Sequence, residues 1–195
     1  MNGEPGFTQN AMAALKAKVL AAKTDNQEVS CALMLDEMLI RKHVDGTQFR
    51  GFVDRGFVDD DSLPEATDAL VFMAASVNSS WKVPCGYFLV NGLTGEEKAN
   101  LTNECITKLH EVGVKVVSFT RDGPTSHQSL LKRLGARQLP DNLQAFFPHP
   151  RDVSAKIYVF LDACHMIKLV RNTMSDWRTL KDKDGKVISW QFLVQ

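Results

Sequence analysis

One acidic residue interrupts the most strand-like segment of the chain. Residues 30–40 form an apolar run with Asp36 near its centre. Side chains alternate along a β-strand, so Asp36 shares a face with Ala32 and Met34, while Leu33 lies on the other face. An ionised carboxylate in such a strand needs hydrogen-bond donors or a cation, and Mg²⁺ is a cation that oxygen ligands suit. The segment predicts a strand whose acid has a specific partner.

A second acid follows another apolar segment. Residues 114–119 are strand-like, and Asp122 comes three residues later. Two strand-borne carboxylates suggest a metal-dependent enzyme acting on nucleic acid. Each acid also has a simpler interpretation. Asp36 could be a core acid bonded to a backbone turn or a lysine, and Asp122 could start a turn that caps the next helix. The residues alone leave these alternatives open.

Composition limits the class of protein. The 195 residues carry 23 basic and 23 acidic side chains, so no global field indicates nucleic acid or membrane as a partner. Four cysteines without C-x-x-C spacing predict reduced thiols that act as small core residues. The first residues do not resemble a secretory signal, and no apolar run reaches membrane-spanning length. We therefore expect a soluble protein of the nucleus or cytoplasm, with no membrane association.

The order of predicted elements indicates an α/β fold with a mixed sheet, in which an antiparallel hairpin precedes parallel strands and helices flank the sheet. Asp45-Gly46 predicts the turn of that hairpin. Thr94 and Glu97 form a capping box for a helix that would cross over to a parallel strand. The predicted helices are 8–22, 94–113, 127–134 and 164–177; the predicted strands are 30–36, 47–53, 69–77, 87–90, 114–119 and 157–161, with 138–150 as a Pro-containing loop.

Four sequence blocks, taken in order, resemble the P-element transposase family, which includes the THAP-domain transposase relatives. The blocks are residues 35–38, 81–87, 122–127 and 162–172. The resemblance implies an RNase H-like catalytic domain for DNA transposition. In that family a DDE site of two Asp and one Glu holds two Mg²⁺ (or Mn²⁺) ions for cleavage and transfer of DNA strands.

The resemblance also implies roles for individual residues. Asp36 and Asp122 match the first two catalytic acids and would be the metal ligands. Asp162 and His165 match a D-x-x-H motif that supports the active site. A generic alternative is that Asp162 caps the last helix and His165 lies on its first turn. Glu37 would point to the opposite face from Asp36, as a surface or hairpin-pairing charge.

Basic residues on the last helix are candidate DNA contacts. Lys168 and Arg171 lie close to one another on a helix, with Arg178 about two turns farther on. Such residues could form a ridge that faces phosphates, and a solvated helix face is the default alternative. The implied partner is DNA, together with self-association or a related transposase, and the implied location is the nucleus.

The predicted domains are a helical lead-in (1–28), the N-terminal part of an RNase H-like domain (29–177) and the start of a truncated insertion or tail (178–195). In the family the third acid, a Glu, follows a large insertion that binds guanine nucleotide. We expect that GTP-binding domain and that Glu to be absent, so that the ancestral Mg²⁺-dependent chemistry is impaired. One alternative is a domesticated, non-catalytic module that binds DNA or protein. Another is a small α/β enzyme with Asp36 and Asp122 as acid and base.

Overall fold

The computed structural model describes residues 4–40, 64–122, 128–139 and 141–193. Within these ranges the helices are α1 (Gln9–Thr24), α2 (Gly95–Glu111), α3 (Gln128–Leu134) and α4 (Ala163–Trp177). The strands are β1 (Gly6–Phe7), β2 (Ser30–Leu39), β3 (Asp68–Ser76), β4 (Lys82–Val90), β5 (Lys115–Arg121), β6 (Arg137–Leu139), β7 (Asn142–Gln144), β8 (Phe146–His149), β9 (Asp152–Leu161), β10 (Thr179–Lys181) and β11 (Val187–Ser189). A 3-10 turn, Trp190–Leu193, follows β11.

Seven of the described strands form one mixed sheet, in the order β1-β4-β3-β2-β5-β9-β8. The pairs β1–β4, β4–β3, β3–β2 and β8–β9 are antiparallel, whereas β2 and β5 are parallel. The parallel pair is joined through β3, β4 and α2, as a helical crossover requires. This arrangement confirms the predicted mixed α/β fold. The predicted strand 47–53 lies outside the described residues, and β2 pairs with β3 on its antiparallel side.

The apolar core lies between the sheet and three helices. In β2 the buried residues alternate as predicted, with Cys31, Leu33 and Leu35 buried. Helix α2 begins at the predicted capping box, because the Thr94 hydroxyl accepts from the backbone N–H of Glu97 while the Glu97 carboxylate accepts from the N–H of Thr94. The three helices and the sheet share one apolar cluster, which contains Leu15, Val19, Phe72, Phe88, Leu101, Ile106, Leu109, Phe119, Leu130, Leu131 and Phe147.

Two prolines lie in strands that the sequence predicted only in part or not at all. The strand predicted at 87–90 starts earlier, at Lys82, and Pro84 lies at a bulge opposite Met73. The loop predicted over 138–150 contains β7, β8 and part of β6, and Pro148 lies at a bulge in β8, an edge strand. Proline lacks the N–H that a ladder needs, so it is accommodated at bulges and sheet edges.

The chain divides into two compact units, Met1–Phe160 and Leu161–Gln195. The first holds the three helices α1 to α3 and nearly all of the seven-stranded sheet. The second contains α4 and the antiparallel hairpin of β10 and β11. No helix in the described ranges has the length and apolarity needed to cross a membrane.

Candidate functional site

The two predicted acids, Asp36 and Asp122, each come directly after a residue of the last pair in the β2–β5 register. In the β2–β5 register Leu35 is the partner of Arg121. Asp36 is the next residue of β2, and Asp122 is the first residue after β5 ends. Neighbouring strands lie about 4.8 Å apart. Parallel strands also end at the same edge of a sheet. The crossover connection therefore brings two acids that are distant in sequence onto adjacent positions.

The side chain of Asp36 is exposed, although its backbone is held in the sheet as the partner of Val71. Its strand neighbours Leu35 and Glu37 pair with Phe72 and Leu70 of β3. The backbone N–H of Glu37 donates to Oδ1 of Asp36 at 2.8 Å. This bond orients the carboxylate relative to the strand and leaves it on the face opposite to the buried Leu35. The position agrees with the alternation predicted from the sequence.

Glu37 has a different role from the surface charge that the sequence predicted. Its Oε2 lies 2.6 Å from Nζ of Lys98, a side chain on α2 that is only 4% exposed. The Glu37 side chain itself is 21% exposed. Glu37 therefore connects β2 to a helix through a largely buried ion pair. Sequence reasoning missed Lys98 because the two partners are 61 residues apart.

Arg121 is the second buried cation near the acids, and the sequence analysis also missed it. Its side chain is 2% exposed, and its Nη1 donates to the carbonyl oxygen of Asp122 at 3.0 Å. Burial lowers the pKa of the Arg121 guanidinium to about 10, and the negative charge of Asp122 opposes that shift. The guanidinium therefore stays charged at neutral pH and fixes the end of β5. Its signal in the sequence was a basic residue at an inward-facing strand position.

The donor set fits a hard divalent cation as part of a site. Carboxylate oxygens on adjacent strand ends are ligands that Mg²⁺ and Mn²⁺ accept, with water completing the coordination shell. Within the described ranges no group of three or more His, Cys, Asp or Glu side chains has a metal-binding arrangement. That Asp36 and Asp122 hold a metal ion together stays a prediction.

Asp162 and His165 belong to the second unit. Asp162 is the N-cap of α4, and its Oδ1 accepts from the backbone N–H groups of Cys164 at 2.8 Å and His165 at 3.2 Å. This is the generic geometry that the sequence left open as an alternative. Capping does not exclude a further role, and the predicted support of the active site stays a prediction.

The basic residues of α4 lie on exposed positions. Lys168 and Arg171 are exposed and one turn apart on the helix. Arg178 lies beyond the helix as its C-cap, with a left-handed φ of 63° and its N–H donating to the carbonyl oxygen of Met174 at 2.9 Å. Arg178 therefore ends α4 and does not continue the predicted ridge. Contact of Lys168 and Arg171 with DNA stays a prediction.

Models of two protein families match the chain. Residues 3–135 match the model described as "TNP-like, RNase H N-terminal domain". Residues 164–195 match the model described as "TNP-like, GTP-binding insertion domain". The GTP-binding domain was expected to be absent. This match instead assigns α4 and the residues after it to that family. The predicted boundary at 177/178 stays a prediction.

Curated relatives and a solved structure are similar to the chain. It is 29% identical over 197 residues to the human protein "DNA transposase THAP9", covering 98% of this chain and 22% of that protein. It is 32% identical over 152 residues to the Drosophila melanogaster "Transposable element P transposase", covering 78% of this chain and 18% of that protein. The chain thus spans about a fifth of the length of these relatives.

The structural comparison concerns the fold. The "Drosophila P element transposase strand transfer complex" matches with a TM-score of 0.62 and 24% identity. The match covers 96% of this chain and 41% of that chain. The fold of the present chain is therefore that of an RNase H-like transposase domain.

Proposed function

This chain belongs to the TNP-like RNase H family of P-element-type transposases, and we propose that it provides the first two acids of a metal-dependent DNA-cleaving site. The observation that carries the proposal is the register of β2 and β5, in which Leu35 pairs with Arg121 and the acids Asp36 and Asp122 come next. Two adjacent carboxylates would each repel the other's charge, so a divalent cation between them relieves that repulsion.

The proposed chemistry divides between the ion and the protein. When bound, divalent ions activate an attacking oxygen and stabilise the leaving oxygen at phosphorus. Asp36 and Asp122 would hold such ions at the strand edge. The amide of Glu37 would orient the Asp36 carboxylate, and Arg121 would fix the backbone of Asp122. A third carboxylate would complete the DDE set; among the described residues no group of three or more His, Cys, Asp or Glu side chains has a metal-binding arrangement.

DNA is the proposed substrate and partner. The support is the family, together with two similar proteins whose names identify them as transposases. Lys168 and Arg171 are proposed phosphate contacts because both are exposed on one turn of α4. Asp162 and His165 are proposed to support the site, and the nucleus is the proposed location. We also propose that residues 164–195 contribute to binding a guanine nucleotide, because they match the insertion-domain family. Association with a second transposase chain is a further prediction.

The proposal is tested by titrating the full chain with Mn²⁺ alone. Paramagnetic broadening of the backbone amide signals of Glu37 and Asp122 reports an ion at the acid pair. We expect wild-type protein to show this broadening. The double variant Asp36→Asn/Asp122→Asn should bind Mn²⁺ more weakly by at least about the 10–100-fold that loss of an outer partner typically costs.

A matched variant controls for general loss of charge. Asp152 lines a cleft with Lys115, at the other end of β5. Asp152→Asn should leave the broadening at Glu37 and Asp122 unchanged. Wild-type spectra that do not change with millimolar Mn²⁺ would contradict the metal site.

A non-catalytic interaction module is the second candidate, and the two-carboxylate set favours it over an enzyme that is complete in these residues. Under this alternative, the double Asn variant binds DNA or a protein partner as wild type does. Anisotropy of a labelled duplex, measured with both proteins and with or without Mn²⁺, separates the two candidates. Metal-dependent binding that the substitutions abolish supports the catalytic site.

A further inference from the structure

The buried ion pair between Lys98 and Glu37 is costly where it stands. Lys98 lies in the first turns of α2, three residues after Gly95, and is 4% exposed. Burying an ammonium group costs its hydration. The positive end of the helix dipole adds to that cost, because cations are disfavoured near a helix N-terminus. Glu96 and Glu97 in the same turn offset only part of it.

Stability alone does not explain the pair. Replacing a buried ion pair by apolar side chains of similar size is often neutral or stabilising. Helix α2 uses such side chains elsewhere along its buried face, at Leu101, Ile106 and Leu109. A charge at position 98 therefore has a purpose that a well-packed apolar side chain would not serve.

The pair acts on the part of β2 that carries Asp36. Strand β5 ends at Arg121, the partner of Leu35, so the register with β5 stops just before Asp36. Beyond that point the described pairing of β2 is with β3, through Leu70 and its neighbours. A strand end held on one side is easily displaced, and a one-residue slip would move every side chain to the other face.

Lys98 holds Glu37 on the helix side of the sheet. The 2.6 Å contact joins the Glu37 carboxylate to a cation that is itself buried in α2. With Glu37 fixed, its neighbour Asp36 must lie on the opposite face. The backbone N–H of the same Glu37 donates to the Asp36 carboxylate at 2.8 Å. The ion pair thus sets both the face and the orientation of the acid.

We propose that Lys98, acting through Glu37, is a positioning residue that holds the Asp36 carboxylate in its ion-binding orientation. The inference rests on the proposed function, in which Asp36 is a metal ligand. Lys98 itself does not touch the ion or DNA in this scheme.

The decisive variant removes both charges and keeps the packing. In Glu37→Leu/Lys98→Met two apolar side chains of similar length replace the pair, so the full chain is expected to fold. Two quantities are measured on it: the dissociation constant for Mn²⁺ alone, and the backbone NMR order parameter of Asp36. We expect Mn²⁺ to bind about tenfold more weakly, the smaller end of the effect of outer-shell changes. The order parameter should fall from about 0.85 towards 0.6.

Two further variants separate positioning from general packing. Lys98→Arg retains the ion pair and should restore both values to those of the wild type. Glu104→Leu/Lys108→Met removes a partly exposed pair of the same helix, joined at 3.4 Å, and should change neither value.

The outcomes distinguish this inference from the proposed function. If the Glu37→Leu/Lys98→Met protein keeps both the wild-type order parameter at Asp36 and the wild-type dissociation constant for Mn²⁺, the positioning role is overturned while the metal site stands. If wild-type protein does not bind Mn²⁺ at the acid pair, the metal site is overturned. The order parameter then decides alone whether Lys98 fixes Asp36.

Discussion

The two ends of the parallel pair β2–β5 carry similar charges in opposite environments. At the amino end, Nζ of Lys115 lies 3.2 Å from Oε2 of Glu28, and both side chains are more than half exposed. At the carboxyl end, Lys98 and Glu37 are 2.6 Å apart and largely buried. Exposed pairs contribute little to folding and are easily exchanged, whereas buried pairs are costly to make and to break. Of these two pairs, the buried one at the carboxyl end is therefore the pair that fixes the position of its strand.

The amino end has a buried ionisable group of another kind. His149 is 4% exposed and packs against His110 of α2, with ring centroids 4.9 Å apart and the ring planes tilted by 54°. Its Nδ1 accepts from the backbone N–H of Arg151 at 3.1 Å, and within the described ranges its Nε2 has no hydrogen-bond partner. Burial and the neighbouring His110 lower the pKa of His149, and Asp152 opposes the shift. This end thus buries a neutral group where the other end buries a charged pair.

The largest change in the free energy of unfolding is expected when one partner of the buried pair is removed. Lys98→Met removes the cation that lies 2.6 Å from the Glu37 carboxylate, and we expect the free energy of unfolding to fall by about 3 kcal/mol. Urea denaturation followed by circular dichroism measures the change. A loss below about 0.5 kcal/mol, the range of exposed pairs, would remove the contrast between the two ends.

An intermediate effect is expected from pH at the amino end. Because the folded pKa of His149 lies below its usual value, protonation favours the unfolded chain. Its contribution to stability is complete above about pH 6.5 and is lost as the pH falls towards the folded pKa. His149→Phe keeps a ring against His110 and should reduce the fall in unfolding free energy between about pH 7 and 5. Identical pH profiles for the two proteins would show that His149 is not the group responsible.

The smallest effect is expected from the exposed pair. Lys115→Met should change the free energy of unfolding by no more than about 0.5 kcal/mol, because both charges remain hydrated when separated. Its small contribution should vanish in about 1 M salt, where screening is nearly complete. A loss comparable to that of Lys98→Met would mean that the amino end is also an anchoring point.

The sequence predicted those parts of the fold that local patterns encode. Alternation in β2 gave the face of Asp36, and the capping box at Thr94 gave the start of α2. The helical crossover predicted a parallel strand at 114–119, as β5 is. These signals are read within one element or from the order of elements, so they need no knowledge of tertiary contacts.

Contacts between distant elements were not predictable in the same way. Nothing near Lys98 in sequence indicates that its partner is Glu37, 61 residues away. The prolines misled for a related reason, since Pro84 and Pro148 are tolerated only because they lie at bulges. The burial of Arg121 likewise depends on what packs against β5.

The parallel pairing of β2 with β5 also ties the site to the completion of folding. The described elements β3, β4 and α2 lie between the two paired strands along the chain, and in the proposed site Asp36 and Asp122 come together only when β5 pairs with β2. Such long-range closure comes late and is entropically expensive. A nascent or half-folded chain would carry two isolated aspartates with no more hold on a divalent ion than ordinary surface acids. Any chemistry of the proposed site on DNA would therefore require that the central sheet has formed.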